Sequence, residues 1–222
     1  KIKSIKKELV YLKKAILMNG ICSEDWVVSF EEFLDSNKVD KSLLKERRNE
    51  IDINDLATIM FTSGTTGEPK GIMFSQMNIV YKRFCRALAI PEIGEGDKFL
   101  AYLPLFHTFG RYFEMLGSIF WAAEYVFMEN PSAETMIANM KQVKPSIFIS
   151  IPKKWIELYE IICSKVNIET DSDETIFKTI TEVTGGYLRW GLSAAGFLPS
   201  DIFQFFQKYG IELMSGFGMT EA

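Results

Sequence analysis

Apolar and polar positions along the chain change period several times, and each change marks an element. Over Lys1–Asn19, Ile5, Leu9, Leu12, Ile16 and Leu17 recur at near-helical spacing, with six lysines and one glutamate in the first fourteen positions. That spacing predicts an amphipathic helix with a basic, solvated face. Ser29 with Glu32 three residues later is a capping-box pattern, which starts a helix through Leu34. Lys38–Asn49 reads as a further helix. Nothing in this stretch suggests chemistry, so 1–54 is expected to be a helical N-terminal segment and 55–222 an α/β core.

From Asp55 the pattern is different. Leu56–Phe61 is a short apolar run suited to a buried strand, and a loop rich in Ser, Thr and Gly follows to Gly71. Helices are then predicted over Ser75–Ile90, Phe109–Trp121, Ser132–Gln142, Pro152–Val166 and Pro199–Lys208. Strands are predicted over Lys98–Leu103, Glu124–Met128, Ser146–Ser150, Leu188–Leu192 and Ile211–Ser215. Such alternation implies an α/β fold, a mainly parallel sheet with helices on both faces. Ligands in such sheets lie at the carboxyl ends of strands, so the loops that follow strands are where chemistry is expected. Asn167–Thr184, with Glu169, Asp171, Asp173 and Glu174, reads as an exposed acidic loop.

Composition narrows the classes. With 47% apolar and 24% charged residues the chain is neither disordered nor collagenous. A net charge of −4 supplies no basic field for nucleic acid. Cys22, Cys85 and Cys163 are too scattered for a disulfide framework or a zinc site, which points to a reducing, cytoplasmic setting. The longest apolar candidate, Met115–Ala123, is nine residues, short of the roughly 18–20 that a membrane span needs. The body is expected to lack a span yet able to visit a bilayer surface.

The strongest chemical signal is Thr62-Ser63-Gly64-Thr65-Thr66-Gly67-Glu68-Pro69-Lys70-Gly71, between a predicted strand and a predicted helix. Glycine lets backbone N–H groups approach an anion, Ser and Thr donate to phosphate oxygens, and lysine adds mobile positive charge. The stretch reads as a polyphosphate cradle. It is not a Walker A loop, because Glu68-Pro69 precedes Lys70 and Gly71 follows it.

This stretch resembles the phosphate-loop signature of the adenylate-forming superfamily, which includes acyl-CoA synthetases, luciferases and peptide-synthetase adenylation domains. Three further segments agree in order: Leu103-Pro104-Leu105-Phe106-His107, Gly191-Leu192-Ser193-Ala194-Ala195-Gly196, and Gly216-Phe217-Gly218-Met219-Thr220-Glu221. They are similar to the family's aromatic–histidine segment, its adenine-side loop and its Gly-aromatic-Gly-x-Thr-Glu motif. The likeness runs from about Asp52 to the last residue and is strongest to long-chain fatty acyl-CoA synthetases.

The resemblance implies a two-step ligase reaction. A fatty carboxylate attacks the ATP α-phosphate to give acyl-AMP and pyrophosphate, and the thiol of CoA then displaces AMP. It implies that Thr62, Ser63, Gly64, Thr65, Thr66, Gly67 and Lys70 cradle the outer phosphates, and that Thr220 bonds the α-phosphate. It further implies that Glu221 binds Mg²⁺ and that Ala195, Gly196, Gly216, Phe217 and Gly218 surround the adenine. Phe217 stands where the family usually has tyrosine, keeping the stacking face and losing the hydroxyl. His107, the only histidine, is implied to contact the substrate carboxylate or adenylate. Gly110–Ala123 reads equally as an acyl-tunnel wall or an ordinary core helix, and Arg111 stands where some long-chain relatives carry an aromatic gate. The family's ribose-binding Asp and C-terminal lysine lie in later segments. The chain is therefore expected to be part of the larger N-terminal domain and inactive alone. Two alternatives stay open: adenylation of an aryl or amino acid for a carrier protein, and a non-catalytic nucleotide-binding module.

Overall fold

The computed structural model describes residues 2–36, 39–62 and 67–221. The chain divides into two units, Lys1–Asp52 and Ile53–Ala222.

The first unit holds a one-turn helix α1 (Ile2–Ile5), strands β1 (Ala15–Leu17) and β2 (Val27–Ser29), and helices α2 (Phe30–Ser36) and α3 (Lys41–Asn49). The helix expected over Lys1–Asn19 is confined to Ile2–Ile5. Lysines three and four apart repel along a helix face, and Ala15–Leu17 instead pairs in parallel with Val27–Ser29. The expected helical segment 1–54 therefore contains a small sheet. Ser29 does cap α2, accepting from the Glu32 N–H at 3.1 Å. The α3 cap is Asp40, whose carboxylate accepts from Ser42 and Leu43 N–H.

The second unit begins with an antiparallel hairpin, β3 (Leu56–Thr62) and β4 (Lys70–Ser75), in register Thr62↔Lys70 and Ile59↔Met73. Ser75 then caps α4 (Gln76–Ala89) through a reciprocal box with Asn78. The remaining elements are β5 (Lys98–Ala101), a π-helical turn (Phe109–Met115), α5 (Leu116–Trp121), β6 (Glu124–Phe127), α6 (Ala133–Val143) and β7 (Ile147–Ser150). After these come α7 (Pro152–Cys163), α8 (Asp173–Thr184), β8 (Trp190–Ala194), α9 (Ser200–Lys208) and β9 (Glu212–Gly216). Five strands form one parallel sheet in the order β6-β5-β7-β8-β9.

Alternation along these strands builds two cores. Leu100, Phe148 and Leu213 face one side and pack with Met136 and Met140 of α6, Trp155 and Leu158 of α7, Ile180 of α8 and Phe206 of α9. Phe99, Ile147, Ile149, Trp190 and Leu192 face the other side and pack with Ile90, Ile93, Leu103 and Trp121. At the amino end of the sheet Asp97 binds Arg189 Nη2 at 2.8 and 2.9 Å, and it accepts from Ser146 Oγ at 2.7 Å and from the Gly94 N–H at 2.9 Å.

The acidic stretch expected to be a loop holds α8. Ser172 accepts from the Thr175 N–H, Asp173 and Glu174 occupy the first turn, and Ile176, Ile180 and Val183 are buried at helical spacing. The acids favour a helix N-terminus electrostatically, so solvation and helix are the same signal here. In Gly110–Ala123, Gly110, Tyr112, Glu114, Gly117, Ser118 and Trp121 are buried, while Ile119, Phe120 and Ala122 are exposed. Trp121 stacks on Phe99 at 6.1 Å and 14°, and only the start of the segment approaches a cavity.

Glu114 in the π-helical turn is fully buried, with no hydrogen-bond partner for either carboxylate oxygen among the described residues. Burial holds its carboxyl well above the ordinary value of 4.5. A raised native value means stability is fully present below that ordinary value and is lost as pH rises toward the native one. Glu114→Gln removes this loss. Its melting temperature relative to wild type is expected to be higher at pH 7 than at pH 4.5. An equal difference at both pH values contradicts a neutral Glu114.

Candidate functional site

Three loops leave the carboxyl ends of β5, β8 and β9 and meet at one end of the sheet. After β5, Pro104 starts a tight turn in which the His107 N–H donates to the Pro104 carbonyl at 3.0 Å. The His107 ring is exposed, and its Nδ1 accepts from the Phe109 N–H at 3.3 Å. With Nδ1 accepting, it is Nε2 that carries a proton, so the outer nitrogen is a donor. After β8 the backbone turns at Ala195, which holds φ +64°. β9 ends at Gly216, the register partner of Ala194, where a Cβ would lie 3.3 Å from Ala194 Cβ, so the two following loops start side by side.

Together the loops border a cleft of about 200 Å³. His107, Ala195, Gly216, Phe217, Gly218 and Thr220 all line it. The Phe217 ring is 95% exposed, a bare planar face at the lip. The inner wall is Phe74, Phe109, Tyr112 and Phe113.

Five other expected residues lie away from this lining. Thr62 and Lys70 face each other across the mouth of the β3–β4 hairpin, Thr62 half-buried and Lys70 exposed. Thr62 closes β3 and Lys70 opens β4, so Lys70 is a strand residue where a loop was expected. Gly67 is exposed, with φ +93°. Gly196 packs toward Pro152, where a Cβ would meet its Cγ at 3.2 Å. Glu221 is exposed and directly follows Thr220. Ser63, Gly64, Thr65 and Thr66 lie outside the described residues.

Two cationic lining residues were not anticipated. Lys82 and Arg86, four apart on α4, both reach the cleft. Arg86 donates to the Tyr112 carbonyl at 3.1 Å and stacks over Phe113 at 4.7 Å. Burial, then the neighbouring Arg86, pulls the Arg83 guanidinium down to about 9, and burial lowers Lys82 and Arg86 in the same direction. No carboxylate among the described residues forms an ion pair with any of the three. The wall thus keeps positive charge for an anionic ligand. The sequence signal was the basic run Lys82-Arg83 with Arg86 one turn on, but its direction depends on how α4 packs.

No group of three or more His, Cys, Asp or Glu among the described residues could hold a metal by themselves. A single exposed carboxylate such as Glu221 suits Mg²⁺, which is bound by one or two carboxylates plus phosphate oxygens and waters. No helix among the described residues is long and apolar enough to cross a membrane.

Comparison with known proteins gives the family and the fold. The AMP-binding enzyme family matches residues 4–222. Long chain acyl-CoA synthetase 3 of Arabidopsis thaliana is 26% identical over 265 residues, covering 100% of this chain and 39% of that protein. Long-chain-fatty-acid–CoA ligase 1 of Saccharomyces cerevisiae is 27% identical, covering 80% of this chain and 30% of that protein. The chain thus spans well under half the length of these relatives. Among solved structures, the anthranilate CoA ligase AuaEII in complex with anthranoyl-AMP superposes with a TM-score of 0.73 at 19% identity, covering 99% of this chain and 39% of that one. The o-succinylbenzoate CoA synthetase MenE of Bacillus subtilis, in complex with the acyl-adenylate OSB-AMP, gives 0.63 at 21%, covering 88% and 35%. The fold is that of adenylate-forming enzymes, and with a family match over nearly its whole length the chain belongs to the AMP-binding enzymes.

Proposed function

We propose that this chain carries the adenylate-binding part of an ATP-dependent acid–CoA ligase that activates long-chain fatty acids through an acyl-AMP. The observation that carries the reading is the convergence of His107, Ala195 and the Gly216–Thr220 loop on one cleft with a cationic wall. Lys82 and Arg86 draw the substrate carboxylate and the nucleotide phosphates into the same space. The Nε2–H of His107 donates to the carboxylate oxygen that is not attacking, which orients the acid without abstracting a proton. Phe217 stacks on the adenine, with the small Gly216 and Gly218 letting backbone approach it. Thr220 donates to the α-phosphate, where charge builds as the fifth bond forms. Lys70, opposite Thr62, neutralises the departing pyrophosphate together with the 63–66 stretch. Glu221 would hold Mg²⁺, which supplies charge neutralisation to the phosphate oxygens when bound. CoA is the thiol acceptor of the second step. The long-chain assignment draws on the named activity of the relatives in Arabidopsis and yeast.

A second reading, an aryl acid as substrate, is favoured by one feature. The cleft is small and its inner wall is four aromatic rings. Acid-dependent exchange of pyrophosphate into ATP by the full-length protein tests both. Exchange strongest with long-chain acids is the expected outcome. Exchange confined to aryl acids selects the second reading, and equal exchange without any acid contradicts both.

A further inference from the structure

We infer that Arg111 is a positioning residue, a strut that braces the His107 loop against β3 and so sets the direction in which the His107 ring donates into the cleft. The inference rests on the reading of His107 above and adds what holds the ring in place.

Arg111 leaves the π-helical turn half-buried. Its Nε donates to the Leu105 carbonyl at 2.6 Å, and its Nη1 donates to Thr58 Oγ1 at 3.1 Å. Its own backbone N–H donates to the His107 carbonyl at 3.0 Å. One residue therefore grips the histidine loop on both sides of Phe106 and ties it to β3, the strand that ends at Thr62 opposite Lys70. The brace joins the two separated parts of the proposed site, the hairpin and the cleft.

The close approach that makes this reach available depends on Gly110. A Cβ there would lie 2.8 Å from the carbonyl oxygens of both Leu103 and Pro104. No carboxylate among the described residues pairs with Arg111. Two neutral acceptors at a fixed angle are what it satisfies. A planar fork presents spaced donors to such a pair, whereas an ammonium offers its three N–H groups from a single atom. The ring of His107 is itself held only by the Phe109 N–H at 3.3 Å, so its aim follows the backbone of 105–109.

In the full-length protein the His107 ring nitrogens are identified as the pair of ¹⁵N resonances that His107→Gln removes. In the wild-type protein the pair is expected to be widely split, with Nδ1 bare and Nε2 protonated. Arg111→Met and the near-isosteric Thr58→Val each remove one end or both ends of the brace. Both are expected to draw the two signals together as tautomers mix, and Arg111→Lys is expected to restore part of the splitting. In parallel, kcat in the exchange reaction of the full-length protein falls about tenfold in Thr58→Val, while the KM for ATP changes less than about twofold. Ring signals identical to wild type in both Arg111→Met and Thr58→Val overturn the inference. If Arg111→Met does not fold, Thr58→Val decides alone. Merged signals in a protein whose wild type shows no acid-dependent exchange support the brace and sink the functional reading. Normal exchange with unchanged signals does the reverse.

Discussion

Trp155→Ala lowers the stability of the α/β unit by about 3–5 kcal/mol, the range for removing a fully enclosed large aromatic. The indole is completely buried and meets Phe148 and Phe206 edge-on at 5.3 and 5.2 Å. Its Nε1–H donates to the Leu192 carbonyl at 3.2 Å. Truncation therefore opens a cavity and strands a buried acceptor in β8. The site is also built around the ring from the other side, since a Cβ on Gly191 would lie 2.5 Å from two indole carbons. Leu192 borders the cleft, so the loss reaches the proposed site through β8. Urea unfolding followed by circular dichroism measures it. Phe217→Ala is the control: a ring 95% exposed should shift stability by no more than about 0.5 kcal/mol. A loss below about 1 kcal/mol in Trp155→Ala would mean that the core closes around the gap.

His107→Ala is expected to lower kcat/KM for acid-dependent exchange by about 10²-fold, the scale of losing a group that orients the attacking carboxylate. The size follows from the tautomer. With Nδ1 occupied by the Phe109 N–H, the remaining nitrogen can only donate. Alanine leaves the carboxylate facing Lys82 and Arg86, which attract it without orienting it. The loss should therefore fall mainly on kcat, with a smaller rise in KM for the acid. His107→Gln, which can offer an N–H at a similar reach, is expected to recover part of the rate. A full loss in both variants together with unchanged acid binding agrees with a base rather than a donor, and contradicts the assignment made from the ring geometry.

The five parallel strands were legible because each centres on a short apolar stretch between helical patterns, although only β7 and β8 are buried along their whole length. Leu56–Phe61 was legible as a strand but not as the buried one expected, since only Met60 of it is buried, and its partner β4 was not legible. Lys70-Gly71 reads as the end of a polar loop, and only pairing with Phe61 and Thr62 makes it a strand. The missed α8 shows that acids flanked by Thr and Ser describe a helix start as well as a loop. Its buried Ile176, Ile180 and Val183 carried the period that decides between them. In the first unit the lysine-rich period suggested a helix, and pairing of Ala15–Leu17 with Val27–Ser29 overrode it.

The site divides in the same way. His107, Ala195 and the Gly216–Thr220 loop were named because their segments resemble the family's motifs, and all of them border one cleft. Lys82, Arg86 and Arg111 were not legible, because a cation on a helix is ordinarily solvated. What distinguishes these three is the element each one packs against, which no local pattern encodes.

The central claim is that one cleft receives both halves of a mixed anhydride between an acid and AMP. Calorimetric titration with a non-hydrolysable acyl-sulfamoyl adenosine, compared with AMP and with the free acid, tests it most directly. The account predicts that the joined molecule binds at least about a hundredfold more tightly than either half, as linked fragments do when they share one site, and that His107→Ala removes much of that advantage. Binding no tighter than AMP alone, with or without His107, would contradict it.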